Sequence, residues 1–160
     1  MCDHGRMTET LSPQGAALAG LMFEALRLGG ALAQAGDALM APIGLTAARW
    51  QVLATVAHLA EPQTVAGLAR ALSLTRQSVQ RVVGEMAAAG LLTLADNPSH
   101  RRARLVVLTP AGAELAARAE ARREPWTEAL ARGCAAEDLT TAEAVLRALR
   151  ERLARAADPG

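Results

Sequence analysis

A chain of 160 residues, 51% of them hydrophobic and with a net charge of +1, fits one compact domain or a small dimer-forming unit, since domains cluster around ~100 to 150 residues. No uninterrupted apolar run reaches the ~20 residues that cross a bilayer as a helix. The start, Met1-Cys2-Asp3-His4-Gly5-Arg6, has no basic segment leading into an apolar one, so the expectation is a cytoplasmic protein with no membrane partner. Cys2 and Cys134 lie far apart and are expected to be free thiols. All 17 basic residues are arginine, which together with the heavy use of alanine matches a GC-rich coding bias and carries no functional signal of its own.

The charge is unevenly placed. Between Glu61 and Pro110, Arg70, Arg76, Arg81, Arg101, Arg102 and Arg104 face only Glu61, Glu85 and Asp96, a local surplus of three in a chain whose total is +1. A local basic face on a near-neutral protein is the footprint of a DNA-contacting surface.

In chain order, residues 1–11 are polar and unpatterned and read as a flexible N-terminus. From Ser12-Pro13 the apolar positions Leu18, Leu21, Ala25, Leu28, Leu32, Ala35 and Leu39 recur at steps of three and four, which predicts a long amphipathic helix capped by Ser12 and ended by Pro42 and Gly44. Three shorter helices follow, each opened by a threonine: Thr46 before Ala47–Leu59, Thr64 before Val65–Leu72 and Thr75 before Arg76–Ala89. Gly90 supplies a C-cap. The period then changes. Leu91–Ala95 and Arg101–Leu108 flank the turn-forming Asp96-Asn97-Pro98-Ser99-His100 and read as a β-hairpin. Thr109-Pro110 opens another helix, which Pro125 is expected to kink or interrupt. The last helix, about Ala135 to Ala156, repeats a narrow stripe at Leu139, Ala142, Leu146, Leu149 and Leu153. Such stripes at both chain ends call for a partner helix, and a homodimer is favoured over packing within one subunit.

The helix after Thr75 carries the sharpest signal. Val79, Val82, Val83 and Met86 fall at i, i+3, i+4 and i+7 and form one apolar face. At ~100° per residue, Gln77, Gln80, Arg81 and Gly84 turn the other way, with Ser78 at the flank and Arg76 in the first turn. Arginine reads guanine O6 and N7 through two parallel hydrogen bonds, and glutamine reads adenine N6 and N7. Gly84 would let the helix approach a backbone closely. His100, Arg101, Arg102 and Arg104 gather on the hairpin, where cationic side chains reach phosphates or the minor groove.

The stretches Gly44-Leu45-Thr46-Ala47-Ala48-Arg49-Trp50-Gln51-Val52-Leu53, Leu68-Ala69, Gln77-Ser78-Val79-Gln80-Arg81-Val82-Val83, Gly90-Leu91-Leu92 and Arg101 through Gly112 resemble the MarR family of bacterial winged helix-turn-helix regulators, with the element order matching across about residues 12–157. The Leu-Thr-Pro-x-Gly ending of the wing is the more specific part. The resemblance implies a mainly α fold with a small β-wing, divided into a dimerisation helix (12–45), a winged helix-turn-helix DNA-binding domain (46–110) and C-terminal dimerisation helices (109–157). It also implies double-stranded DNA as partner. Arg76, Gln77, Ser78, Gln80 and Arg81 match the family's groove-reading positions and Arg102 its wing-tip arginine; Thr75, Arg101 and Arg104 complete the expected DNA-binding set. Many relatives carry an acidic residue before the paired wing arginines, where this chain has His100.

The resemblance further implies an effector pocket between the dimerisation helices and the winged helix. Met22, Phe23, Leu26, Arg27, Trp50, Ala54 and His58 are the candidates to line it, and a small aromatic or anionic compound would suit Arg27 and Trp50. Residue by residue, a plain core position is the favoured reading of Phe23 and of Trp50.

No Gly-rich phosphate loop, histidine-glutamate metal motif or nucleophile elbow occurs, so no enzyme and no cofactor is expected. Cys2, Asp3 and His4 are adjacent metal-ligand types but poorly preorganised, and His58 and His100 stand in different elements, so no metal site is expected. The resulting reading is a ligand-responsive repressor that binds a pseudo-palindromic operator as a homodimer. The alternatives are a winged-helix module gripping an acidic protein partner, or a thiol-switched regulator using Cys134, near which Arg132 is the one activating group.

Overall fold

The structure is a computed structural model that describes residues 11–100 and 102–157. Arg101, the Cys2-Asp3-His4 trio and all of the expected flexible N-terminus except Leu11 lie outside the described residues. Eight helices and strands lead from the N-terminal helix to the end of the wing and beyond: α1 (Pro13–Met40), α2 (Ala47–His58), β1 (Gln63–Thr64), α3 (Val65–Leu72), α4 (Arg76–Ala88), β2 (Leu92–Ala95), β3 (Leu105–Leu108) and α5 (Pro110–Ala131), followed by α6 (Ala136–Ala157). The expectation of a mainly α fold with a small β-wing is met.

The caps are those the threonines and Ser12 announced. Ser12 Oγ accepts from the amide of Gly15 at 3.1 Å, and Thr46, Thr64 and Thr75 accept in the same way from Arg49, Gly67 and Ser78. Each satisfies one of the amides that a helix start leaves unpaired. A 3-10 turn (Ala41–Ile43) ends α1, and Gly44 follows in the left-handed region at φ 75°.

The last turns of α1 dock on the start of α2. Gly36 makes this possible, since a Cβ there would lie 3.1 Å from Ala47 Cβ and 3.4 Å from the Trp50 ring. Asp37 Oδ1 accepts from the Ala47 amide at 2.6 Å, placing a carboxylate against the positive end of the α2 dipole. Upstream of this joint α1 is uncovered: Leu18, Leu21, Leu28 and Leu32 of its stripe are exposed. Within the 31-residue span Pro13–Ile43 an 18-residue stretch reaches a mean hydropathy of 1.4, so this helix is by length and composition long and apolar enough to cross a membrane. Counting uninterrupted runs did not register it, because Glu24, Arg27 and Gln34 interrupt the apolar residues.

The core gathers Val52 and Leu53 of α2, Leu68 of α3, the inner face of α4, Leu92 and Val106 of the sheet, and Met40 and Ala119 from the flanking helices. The sheet has the order β1-β3-β2, with Leu92 opposite Leu108 and Ala95 opposite Leu105, and Gln63 opposite Val106 on the far side. Sequence reading missed β1, since two residues are too short for a period-two pattern to register. The second wing strand begins at Leu105 rather than Arg101, so Arg102 and Arg104 belong to the turn segment.

The Leu-Thr-Pro-x-Gly segment is a joint. Thr109 Oγ1 donates to the carbonyl of Gly90 at 2.6 Å and accepts from the amide of Gly112 at 3.0 Å. A Cβ at Gly112 would stand 2.0 Å from the Leu91 carbonyl oxygen. That approach brings α5 against the end of α4, and only glycine allows it. Contrary to an interruption, α5 runs through Pro125.

The chain divides into two compact units, Met1–Arg122 and Arg123–Gly160. In the second, Gly133 turns the chain at φ 85°, and α6 starts with Glu137 and Asp138 at its positive end. Leu139, Leu146 and Leu153 of its expected stripe are exposed.

Gly112→Ala should destabilise the fold by about 3 kcal/mol, the upper range of overpacking costs, because the opposing atom is backbone and not a yielding side chain. Urea unfolding of the variant should show a lowered midpoint with an unchanged slope.

Candidate nucleic-acid interface

The turn between α3 and α4 sets the interface. Ser73 adopts a left-handed conformation at φ 55°, and the Leu74 amide returns to the Ala69 carbonyl at 2.9 Å, closing α3 and aiming the chain into α4. Val79, Val82, Val83 and Met86 are all buried, at 5% exposure or less. Arg76, Gln77, Ser78, Gln80, Arg81 and Gly84 are therefore left on the open side, and all six are exposed.

These residues differ in what they have available. The Thr75 hydroxyl caps the helix and donates to Ser78 Oγ at 2.8 Å, so Thr75 acts on the shape of the helix start. Arg76 and Gln80 line a recess of about 450 Å³ whose other walls are the start of α3 (Thr64, Val65, Ala66) and wing residues Leu94, His100, Arg102, Ala103 and Arg104. The structure thus brings four of the expected DNA-contacting residues, Arg76, Gln80, Arg102 and Arg104, to one concave surface, together with His100. That surface presents three guanidinium groups and an imidazole, a composition suited to anionic phosphates.

The wing is braced from within. Asn97 donates to the Ala103 carbonyl at 2.9 Å and accepts from the Ser99 amide at 3.0 Å. Arg104 donates to the Leu94 carbonyl and stands 4.0 Å from Asp96. This guanidinium ties the turn to β2 and so holds the wing in shape, a role that sequence reading did not assign to it.

Sequence reading also passed over Glu85. Its Oε1 accepts from Arg81 Nη1 at 2.6 Å and its Oε2 from Arg49 Nη2 at 3.1 Å. The Arg49 and Arg81 hydrogen bonds, in that order, hold its carboxyl below the usual carboxylate range. A lowered value means that the pairing is complete above that range and is lost only as the pH falls below it. The i, i+4 spacing of Arg81 and Glu85 was a visible signal; the link to Arg49, on another helix, was not.

The candidate effector residues are distributed differently. Met22, Phe23 and Leu26 of α1 are exposed at 52%, 65% and 73%, and Arg27 pairs with Glu24 at 2.9 Å. Trp50 packs on Gly36 at the edge of the core. Ala54 is half-buried, and its carbonyl lies 2.8 Å from His58 Nδ1. Cys134 is an exposed thiol. Among the described residues, no group of three His, Cys, Asp or Glu side chains could hold a metal ion.

Three helices, a braced wing and a cationic recess between them define a winged helix-turn-helix of the kind found in transcription regulators. Residues 43–103 match a family model described as the MarR family. An uncharacterized protein of Mycobacterium tuberculosis is 42% identical over 95 residues, 59% of this chain and 65% of that protein, and one of Mycobacterium bovis matches equally. The matched stretch thus spans just under two thirds of the length of these relatives. The fold is similar to CouR of Rhodococcus jostii RHA1 bound to p-coumaroyl-CoA, with a TM-score of 0.71 and 22% identity over 81% of this chain and 91% of that one. It is equally similar to S. aureus MepR in complex with DNA, with a TM-score of 0.71 and 17% identity over 82% of this chain and 96% of that one. E. coli MarR, in its apo form, superposes with a TM-score of 0.63 and 20% identity over 88% of this chain and 98% of that one. Residues 43–103 thus match the MarR family by sequence, and the fold of the chain is similar to that of MarR family regulators.

No neighbouring atom lies within 4 Å of a Cβ placed on Gly84, so folding alone does not require glycine there. Gly84→Ala should raise stability by about 0.5–1 kcal/mol, the usual gain for a helix interior, measured by urea unfolding.

Proposed function

We propose that this protein is a sequence-specific DNA-binding transcriptional regulator, and not an enzyme, that acts as a homodimer on a pseudo-palindromic operator and represses by occlusion. The observation that carries this reading is the joint placement of the open face of α4 and the basic wing around one cationic recess, within a MarR family winged helix. In the proposed complex α4 enters the major groove. Gln77, Gln80 and Arg81 read base edges, Arg76 and Ser78 hold its start, and Arg101, Arg102 and Arg104 follow the backbone on the wing. The likeness of the fold to a regulator solved in complex with DNA supports this use of the surface.

The dimer is supported by the exposed leucines of α1 and α6, since apolar stripes of this length favour a second copy over water. Two copies would set their α4 helices ~34 Å apart, one helical turn of DNA. A small aromatic or anionic effector, bound beside Met22, Phe23, Leu26, Arg27, Trp50, Ala54 and His58, would change that separation and lower affinity because both helices no longer fit at once. CouR, which shares the fold, holds the aromatic, anionic p-coumaroyl-CoA.

In gel-shift titrations with the upstream intergenic DNA, the wild type should bind at sub-micromolar concentration, salt-sensitively and site-selectively. Gln80→Ala should change the preferred base without abolishing binding. Arg102→Ala should weaken binding to all sequences and reduce the salt slope by about 1 per subunit. If neither change affects binding, the groove assignment is wrong; if binding is absent at moderate salt, the surface serves an acidic protein partner instead.

A second measurement tests the assembly. Sedimentation velocity should return a dimer, and Leu28→Glu together with Leu146→Glu should convert it to a monomer whose operator affinity falls at least ten-fold, because each half-site is then held alone.

A further inference from the structure

Glu85 is the one acid on α4, and it sits beside the residues assigned to read DNA. A carboxylate there repels phosphate, so by charge alone it weakens the proposed complex. Its two oxygens nevertheless have separate cationic partners from two helices: Arg81 of α4 itself, and Arg49 of α2, which lies 36 positions earlier in the chain. The three side chains stay at the surface, with exposures of 67% for Arg81, 36% for Glu85 and 34% for Arg49.

We propose that Glu85 is a positioning and specificity-determining residue, held by Arg49, that restrains Arg81 so that it reads a base and does not bind phosphate indiscriminately. The proposal rests on the DNA-binding reading above and deepens it. A free arginine on a recognition helix is a mobile cation that any phosphate can capture, which adds affinity without sequence information. An arginine paired with a mobile glutamate gains little restraint, because both side chains can reorient. Here the second oxygen is bound from α2, so the direction of the carboxylate is set by the packing of α2 against α4.

Two consequences follow for Arg81. Its charge is compensated, so non-specific phosphate contact releases less counterion. Its guanidinium keeps N–H donors beyond the one that meets Glu85, and the two that guanine O6 and N7 require are held on a side chain whose freedom is already reduced, which lowers the entropic cost of the contact. Glu85 thereby gives up general affinity for discrimination at one base pair in each half-site.

The test uses the full chain. Binding sites are selected from a random duplex pool with the wild type, E85Q, R81A and R49Q, and each protein is then titrated by fluorescence anisotropy against one random-sequence duplex over a NaCl series. E85Q and R81A should lose the same base-pair preference in each half-site, a preference of about ten-fold in the wild type. On the random duplex the two should diverge: E85Q steepens the salt slope by about 0.9 per subunit as Arg81 becomes free to meet a phosphate, whereas R81A leaves the slope as it is in the wild type. R49Q should lose part of the same preference. E85D keeps the charge but is one methylene too short to span both arginines, and it should fall between the wild type and E85Q. A merely structural tie between α2 and α4 would instead lower the thermal midpoint of E85Q and R49Q together and weaken all sequences equally, with base preference and salt slope unchanged. That result overturns the proposal while leaving the DNA-binding reading intact. Absence of DNA binding by the wild type overturns both.

Discussion

The orientation of α4 depends on four apolar side chains at helical spacing. Burying Val79, Val82, Val83 and Met86 contributes roughly 6–12 kcal/mol in gross terms, at ~1.5–3 kcal/mol for each side chain of this size. Turning the helix by one position, ~100°, would expose part of that face and bring Gln80 or Arg81 inward, adding an unpaired polar group at about 1–3 kcal/mol or a far costlier charge. The inner face therefore decides which residues stand outside, and the outer residues owe their common direction to it. The chemistry of the interface is set by the core beneath it.

The wing takes its position from a second constraint, the close approach of Gly112 to the Leu91 carbonyl. Thr109 bonds both sides of this joint, so the end of α4, the sheet and the start of α5 move as one piece. Arg104 and Asn97 then brace the turn itself. A rigid wing matters because its cationic groups share a recess with Arg76 and Gln80: the spacing between the open face of α4 and the wing cations is built into the fold, which reduces the cost of ordering them on binding.

Much of this was legible in the sequence. The threonine caps and the α4 face are local patterns, and local patterns survive into structure when a buried face enforces them. The ends of α2, α3 and α4 fell within one residue of their expected places for that reason. Features that depend on partners far along the chain were not legible. β1 is two residues whose identity as a strand comes from pairing with β3. The bracing contact of Arg104 was invisible because nothing local shows that the Leu94 carbonyl, ten positions earlier, would accept from its guanidinium. Glu85 looked incidental until Arg49 was placed across from it. Gly112 was recognised only as part of a motif, and its physical reason appears once the Leu91 carbonyl is seen against it.

The account stands or falls on α4 lying in the major groove at two places one helical turn apart. Methylation of guanine N7 by dimethyl sulfate reports that groove directly, since N7 lies on its floor. With the protein saturating its upstream intergenic DNA, the account predicts guanines protected in two patches about 10 base pairs apart. Saturated binding that leaves every N7 equally reactive would place α4 outside the groove and contradict it.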